Sequence, residues 1–256
     1  MIRSLLSGLG SSPIAVFMNI SSSTSILKIA VSSDVLSPKL ATLLALQRAE
    51  EPDTQVSLTE VPAVDLFQGL NNGQYDAGIT RRTSTILPLS TLPLWCEELA
   101  VAMPLRSPLL AHGAITSEAL RDYQLIYGCT PSNETMSRLT DVLGCDQDRA
   151  SSTVTSFELM AVLVAAGYCI GIAPRSRILQ ARSSGIVMRP LAGNSVWVET
   201  DIFQSAGKGK TTPAIERFIR RAQTIGESDC HETLSRVTHH IPHEQQPADS
   251  PTSATR

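Results

Sequence analysis

The chain has 256 residues, 42% of them hydrophobic and 18% charged, with a formal net charge of −3. This is ordinary globular material, long enough for one large core or two small ones. Slight acidity and an aromatic content of only 4% leave no basic field along which a phosphate backbone could be held, which excludes non-specific nucleic-acid binding by this chain alone.

Residues 1–25 read as an irregular N-terminal segment, with Gly8, Gly10 and Pro13 before a short apolar stretch at 14–20 and a serine-rich run. Arg3 ahead of that stretch gives it some character of an export signal, which Pro13 and Asn19 interrupt. Strand-like and helix-like segments then alternate, the pattern of an α/β sheet. A first lobe spans 26–103. It has a strand at 27–31 and a helix opened by Ser37-Pro38 with Leu36, Leu40, Leu43 and Leu44 on one face, then a strand at 56–61. A helix from Pro62 with Ala63, Phe67 and Leu70 inward follows, stopped at Asn72-Gly73, and after it a strand at 75–80. A long β-rich stretch, 94–103, ends at Pro104, where 104–113 reads as a hinge.

A second lobe, 104–204, repeats the design, with strands at 123–128, 152–154, 170–173, 186–191 and 196–204. One of its helices opens at Thr155-Ser156-Phe157-Glu158, which has the T-x-x-E form of a capping box. Residues 205–226 hold a closing helix that returns to the first lobe with Ile215, Phe218, Ile219 and Ala222 inward, and 227–256 read as a disordered tail. Two doubly wound lobes joined by two extended crossovers place a ligand cleft between them.

Catalytic signatures are missing: there is no HExxH, no GxSxG and no GxGxxG after a strand. The GKGKT at 207–211 lacks the first glycine of a P-loop, whose place is taken by Gln204, and reads as a turn. His231, His239, His240, His243 and Cys230 lie in the tail, where ordering entropy opposes a specific metal site; no metal or cofactor is expected. The five cysteines, at 96, 129, 145, 169 and 230, form no CxxC pair, which fits a reduced, cytoplasmic setting. Cys129 sits in a strand-to-helix loop and reads as a small residue beside a pocket rather than a redox sensor. No run approaches the roughly 18–20 apolar residues that cross a bilayer.

What recurs is a polar strand-to-helix loop. Ser32-Ser33-Asp34, Val61-Pro62-Ala63, Thr130-Pro131-Ser132 and Thr155-Ser156 all follow strands and precede helices, at the carboxyl ends where a doubly wound sheet binds ligands. Hydroxyls and free helix N-terminal N–H groups there suit a carboxylate or phosphate; the competing role for each Ser or Thr is to cap its own helix. Arg81-Arg82 adds charge to the cleft or forms a solvated edge.

Together these segments resemble the effector-binding domain of LysR-type transcriptional regulators. The resemblance covers about residues 27–223 and is carried by LKIAVSSDVLSPKLATLLALQ, LTEVPAVDLFQGLNNGQYDAGITR, LPLWCEELAVAMPLRSPL, SFELMAVLVAAGYCIGIAPRS and TPAIERFIRRA. It implies a two-lobed α/β fold like the type 2 periplasmic binding proteins, without catalysis. A small, often anionic metabolite is expected in the cleft, against Ser32, Ser33, Pro62, Ala63, Thr80, Thr130, Thr155 and Ser156. Ligand-dependent rearrangement of the lobes, within homo-oligomers or hetero-oligomers with an intact regulator, is the implied output. Such regulators begin with a winged helix-turn-helix; only 26 residues precede Leu27 here, so no operator binding is expected of this chain by itself. The alternative is an exported solute-binding protein of a transporter, which shares the two-lobed fold.

Overall fold

Alternation along the strands decides which helices lie on which side of each sheet. In the computed structural model, which describes residues 15–17, 26–83, 89–128, 132–144, 154, 156–205 and 212–238, the first example is β2 (Ile26–Val31). Its Leu27, Ile29 and Val31 share a core with Leu40 and Leu43 of α1 (Pro38–Glu50) and with Ile215, Phe218 and Ala222 of α7 (Pro213–Thr238). Ala30, one step out of phase, belongs to the opposite face with Leu66 and Leu70 of α2 (Ala63–Asn71). Around β2 the sheet runs parallel to β3 (Gln55–Glu60) on one side and to β4 (Ala77–Arg81) on the other. β9 (Trp197–Ser205) then pairs antiparallel with β4 and with the first part of β5 (Leu89–Pro104).

The second sheet grows from the same strand. β5 pairs with β9 as far as Glu98, and from Leu99 onward it pairs antiparallel with β7 (Ile170–Pro174). From Ala100 to Pro104 it also pairs antiparallel with β8 (Ile186–Pro190). β6 (Leu125–Tyr127) lies parallel to β7. Here too the faces divide by parity. Leu99, Val101 and Met103 join a core with Leu120 of α3 (Ser117–Leu120) and Leu139 and Leu143 of α4 (Asn133–Leu143). Ala100 and Ala102 join Met160 and Val164 of α5 (Phe157–Ala165) and Ile178 of α6 (Arg175–Gln180).

Three boundaries differ from those read in the sequence. The switch between lobes falls inside β5, at Glu98/Leu99, and not beyond Pro104; 108–111 form a 3-10 turn that buries Leu109 in the second core. Residues 1–25 are not irregular throughout, because β1 (Ala15–Phe17) adds an antiparallel edge strand to β3. The closing helix runs to Thr238, twelve residues past its expected end and into the segment read as a disordered tail. Gly226 does not stop it. A β-carbon there would lie 1.4 Å from the Leu94 carbonyl oxygen, so this glycine lets the helix backbone approach β5 closely. No proline follows until Pro242. The GKGKT turn, residues 239–256, Cys129 and Cys145 lie outside the described residues. Among those described, no helix is long and apolar enough to cross a membrane.

Candidate functional site

β2 and β4 are neighbours, so their carboxyl ends bring Ser32 and Thr80 together, both buried. The Ser32 N–H extends the ladder to the Ile79 carbonyl at 3.0 Å. Ser32 Oγ lies 2.5 Å from Asp34 Oδ1 and 2.9 Å from Thr80 Oγ1. A hydroxyl has one proton, so Ser32 donates to the carboxylate and accepts from Thr80. Beside them the Val61 N–H bonds the Val31 carbonyl at 3.0 Å, which sets the N-terminus of α2 next to the Ser32–Ser33 loop. Pro62 is the N-cap residue and is exposed, Ala63 half-buried, and neither brings a polar side chain. What that corner offers is the first-turn N–H groups of α2, which no intrahelical carbonyl takes.

The second lobe faces this corner through the first turn of α5 and the start of α6. Ser156 is the N-cap of α5, its hydroxyl accepting from the Leu159 N–H at 3.2 Å, so it caps its own helix. That places Glu158 one position too early for the reciprocal bond of the expected capping box, and its carboxylate accepts instead from Arg177 Nη2 at 2.9 Å. Arg177 Nη1 reaches back across the cleft to the carbonyls of Ser33, at 3.0 Å, and Leu36, at 2.9 Å. The structure therefore brings Ser32 and Thr80 into contact, sets Pro62 and Ala63 beside them, and links Ser33 to the Ser156 turn through Arg177. Thr130 and Thr155 lie outside the described residues. Ser132, the last residue of the loop that contains Thr130, caps α4 through the Thr135 N–H at 3.2 Å.

Of the two arginines at the end of β4, Arg81 is buried and Arg82 is 40% exposed, and neither stands free for a ligand. Arg81 is buried and pairs with Glu97 at 3.0 Å, while also donating to Thr200 Oγ1 and the Asp34 carbonyl, each at 2.9 Å. The other Glu97 oxygen accepts from the Ser176 hydroxyl. Arg82 makes a two-pronged pair with Asp201 at 2.9 and 3.0 Å and touches Glu199; the bond to Asp201 raises its pKa above the usual arginine value. Asp34, by contrast, takes its one side-chain bond among the described residues from Ser32. Among the described residues no cluster of acidic, histidine and cysteine side chains could hold a metal ion.

Sequence reasoning missed Arg177, Ser176 and Glu97. A signal was available for the first two: the Pro174-Arg175-Ser176 junction is also a strand-to-helix turn, of the same kind as the four singled out. Glu97 gives none, since a carboxylate in mid-strand looks like any solvent-facing position until its partners are placed.

Comparison with known proteins follows the same outline. The profile of the LysR substrate binding domain matches residues 21–225. The probable cat1 operon transcriptional activator of Acinetobacter lwoffii is 32% identical over 85 residues, 33% of this chain and 28% of that protein. The Hca operon transcriptional activator HcaR of Escherichia coli (strain K12) is 21% identical over 186 residues, 72% of this chain and 62% of that protein. The chain thus spans under two thirds of the length of these relatives. The OxyR regulatory domain from Pseudomonas aeruginosa superposes with a TM-score of 0.61 at 24% identity, covering 79% of this chain and 98% of that one, a likeness of fold.

Proposed function

We propose, since this chain belongs to the LysR substrate-binding domain family, that it is the effector-sensing part of a transcriptional regulator. Its fold is the two-lobed, type 2 periplasmic-binding-protein-like one of that family. A small metabolite enters between the lobes, and the change it makes is passed on through homo-oligomers or through hetero-oligomers with an intact regulator. The observation that carries this reading is the meeting of the Ser32–Thr80 hydroxyl pair with the opposite lobe across a span as short as the Arg177–Ser33 bond. The Asp34 carboxylate does accept from the Ser32 hydroxyl, but Ser32 is buried and its oxygen is also taken by Thr80, so the reading is one of binding, in the cytoplasm, not of catalysis.

The effector is a small carboxylate held by neutral donors. The arginines of this region are committed to Glu97, Asp201, Glu158 and main-chain carbonyls, which leaves the exposed Ser33 hydroxyl and the α2 first-turn N–H groups as its partners. Such a site depends little on salt compared with one built on guanidinium. The test is a calorimetric and thermal-melt screen of small mono- and dicarboxylates, benzoate and succinate among them, against their neutral amides. We expect one or more acids to raise the melting temperature, by a stabilisation of about 2.7 kcal/mol at a hundredfold excess over Kd, and Ser33→Ala to abolish it. Stabilisation by amides or amines with none by any acid would overturn the carboxylate reading. The matched relatives are transcriptional activators, which does not favour an exported solute receptor.

A further inference from the structure

Arg177 is the third residue of α6 and only 7% exposed, yet every group its guanidinium touches belongs to another segment. Nη1 holds the Ser33 and Leu36 carbonyls, which flank the turn after β2 in the first lobe. Nη2 holds Glu158, and the guanidinium lies 4.7 Å from the centroid of the Phe157 ring, both in the first turn of α5 in the second lobe. The neighbouring Ser176 bonds Glu97, whose other oxygen bonds Arg81, and Arg81 in turn holds the Asp34 carbonyl. Three carbonyls of one loop, those of Ser33, Asp34 and Leu36, are thus all fixed by guanidinium groups connected to the start of α6. Glu158 is 73% exposed, so water screens its ion pair; the part-buried carbonyl bonds and the ring contact carry most of the attachment.

We infer that Arg177 is an interlobe strut, a positioning residue that makes the conformation of the 33–36 loop and the spacing of the two lobes a single equilibrium. Separating the lobes breaks its carbonyl bonds, and reshaping the loop around a bound molecule breaks the same bonds from the other end. A ligand that favours one arrangement of the loop therefore shifts the lobes by linkage, with no contact of its own to α5 or α6. The geometry requires arginine. A lysine ammonium is a compact point charge, and it cannot lie flat on Phe157 while spanning two carbonyls and a carboxylate.

The inference rests on reading the 32–33 loop as part of the effector site, but its test needs no effector. Hydrogen exchange by mass spectrometry is measured on the whole chain for the wild type, Arg177→Gln and Arg177→Lys. Glu134→Gln, which breaks the exposed Arg138 pair on α4, serves as the control. In Arg177→Gln we expect exchange at 33–37 and at 157–160 to rise together, by about tenfold, with the strands of both sheets unchanged. Arg177→Lys should show the same pair of rises at smaller size, and it decides the matter if the glutamine variant does not fold. Exchange unchanged at 33–37, a rise in one lobe alone, or a uniform rise across the chain would each overturn the strut. Failure of every carboxylate in the thermal-melt screen would leave this outcome untouched, so the two readings fall separately.

Discussion

Arg81 and Glu97 are 5% and 3% exposed and sit at the junction of the lobes, where water cannot replace a lost partner. Taking two charges out of water costs several kcal/mol each, and that cost is offset here by the bonds to Thr200, the Asp34 carbonyl and Ser176. The pair therefore does more to fix geometry than to stabilise the chain. Glu97→Ala strands a buried guanidinium, and urea denaturation should show a loss of about 3–5 kcal/mol. The double change Arg81→Met with Glu97→Leu should recover most of it, because an apolar pair of similar volume removes both desolvation costs at once. A single-variant loss under about 1 kcal/mol would mean that water reaches the pair. Cys169 belongs to the same scale: burial pushes its thiol above the usual cysteine range, so it packs as a small apolar side chain and not as a nucleophile.

At the scale of elements, the order from β2 to α7 was legible apart from the strand expected at 152–154, which falls almost wholly outside the described residues, and so were the inward faces of α1, α5 and α7, because periodicity and punctuation agree along most of the chain. Where they were illegible, two local rules competed. Thr155 and Ser156 are adjacent hydroxyls, either of which suits an N-cap, and the backbone uses Ser156, which frees Glu158 for Arg177. β5 continues as one strand through its change of sheet, with no proline or glycine at Glu98/Leu99, so the next punctuation in the sequence is Pro104. The expected end of the closing helix at 226 falls on a glycine, and nothing in one dimension reveals the Leu94 carbonyl beneath it. Gly226→Ala should force α7 away from β5 and cost about 1–3 kcal/mol in chemical denaturation, although alanine is the better helix former by about 1 kcal/mol. A stabilised variant would place the helix farther from the strand than described.

The site shows the same division at the scale of the whole molecule. That Ser32, Thr80, Pro62 and Ala63 lie together could be read from sequence because strand ends in a parallel sheet are predictable neighbours. Arg177 carried only the signal of its strand-to-helix turn, since its partners depend on how one lobe faces the other. Assembly is also a whole-molecule property. α5 buries Met160, Ala161 and Val164 yet leaves Leu159 and Val162 exposed, at 44% and 63%, followed by Tyr168 at 77%. A helix apolar on nearly all sides is a helix with a missing neighbour. We expect light scattering after gel filtration to give a dimer or larger, and Val162→Asp to move the mass toward 27.5 kDa. An unchanged mass would place the contact elsewhere.

β5 enters one sheet and leaves through the other as a single strand, 16 residues that span about 50 Å if fully extended, with β9 alongside as far as Glu98 across one bulge at Pro93/Trp95. A hydrogen-bonded ribbon of two strands is stiff to stretching and soft to torsion. The lobes therefore open and close chiefly by rolling about the ribbon, which widens or narrows the cleft at Arg177, and not by gliding apart as beads on a slack cord do. Observables sensitive to orientation, such as residual dipolar couplings, will register ligand binding more strongly than any single interlobe distance.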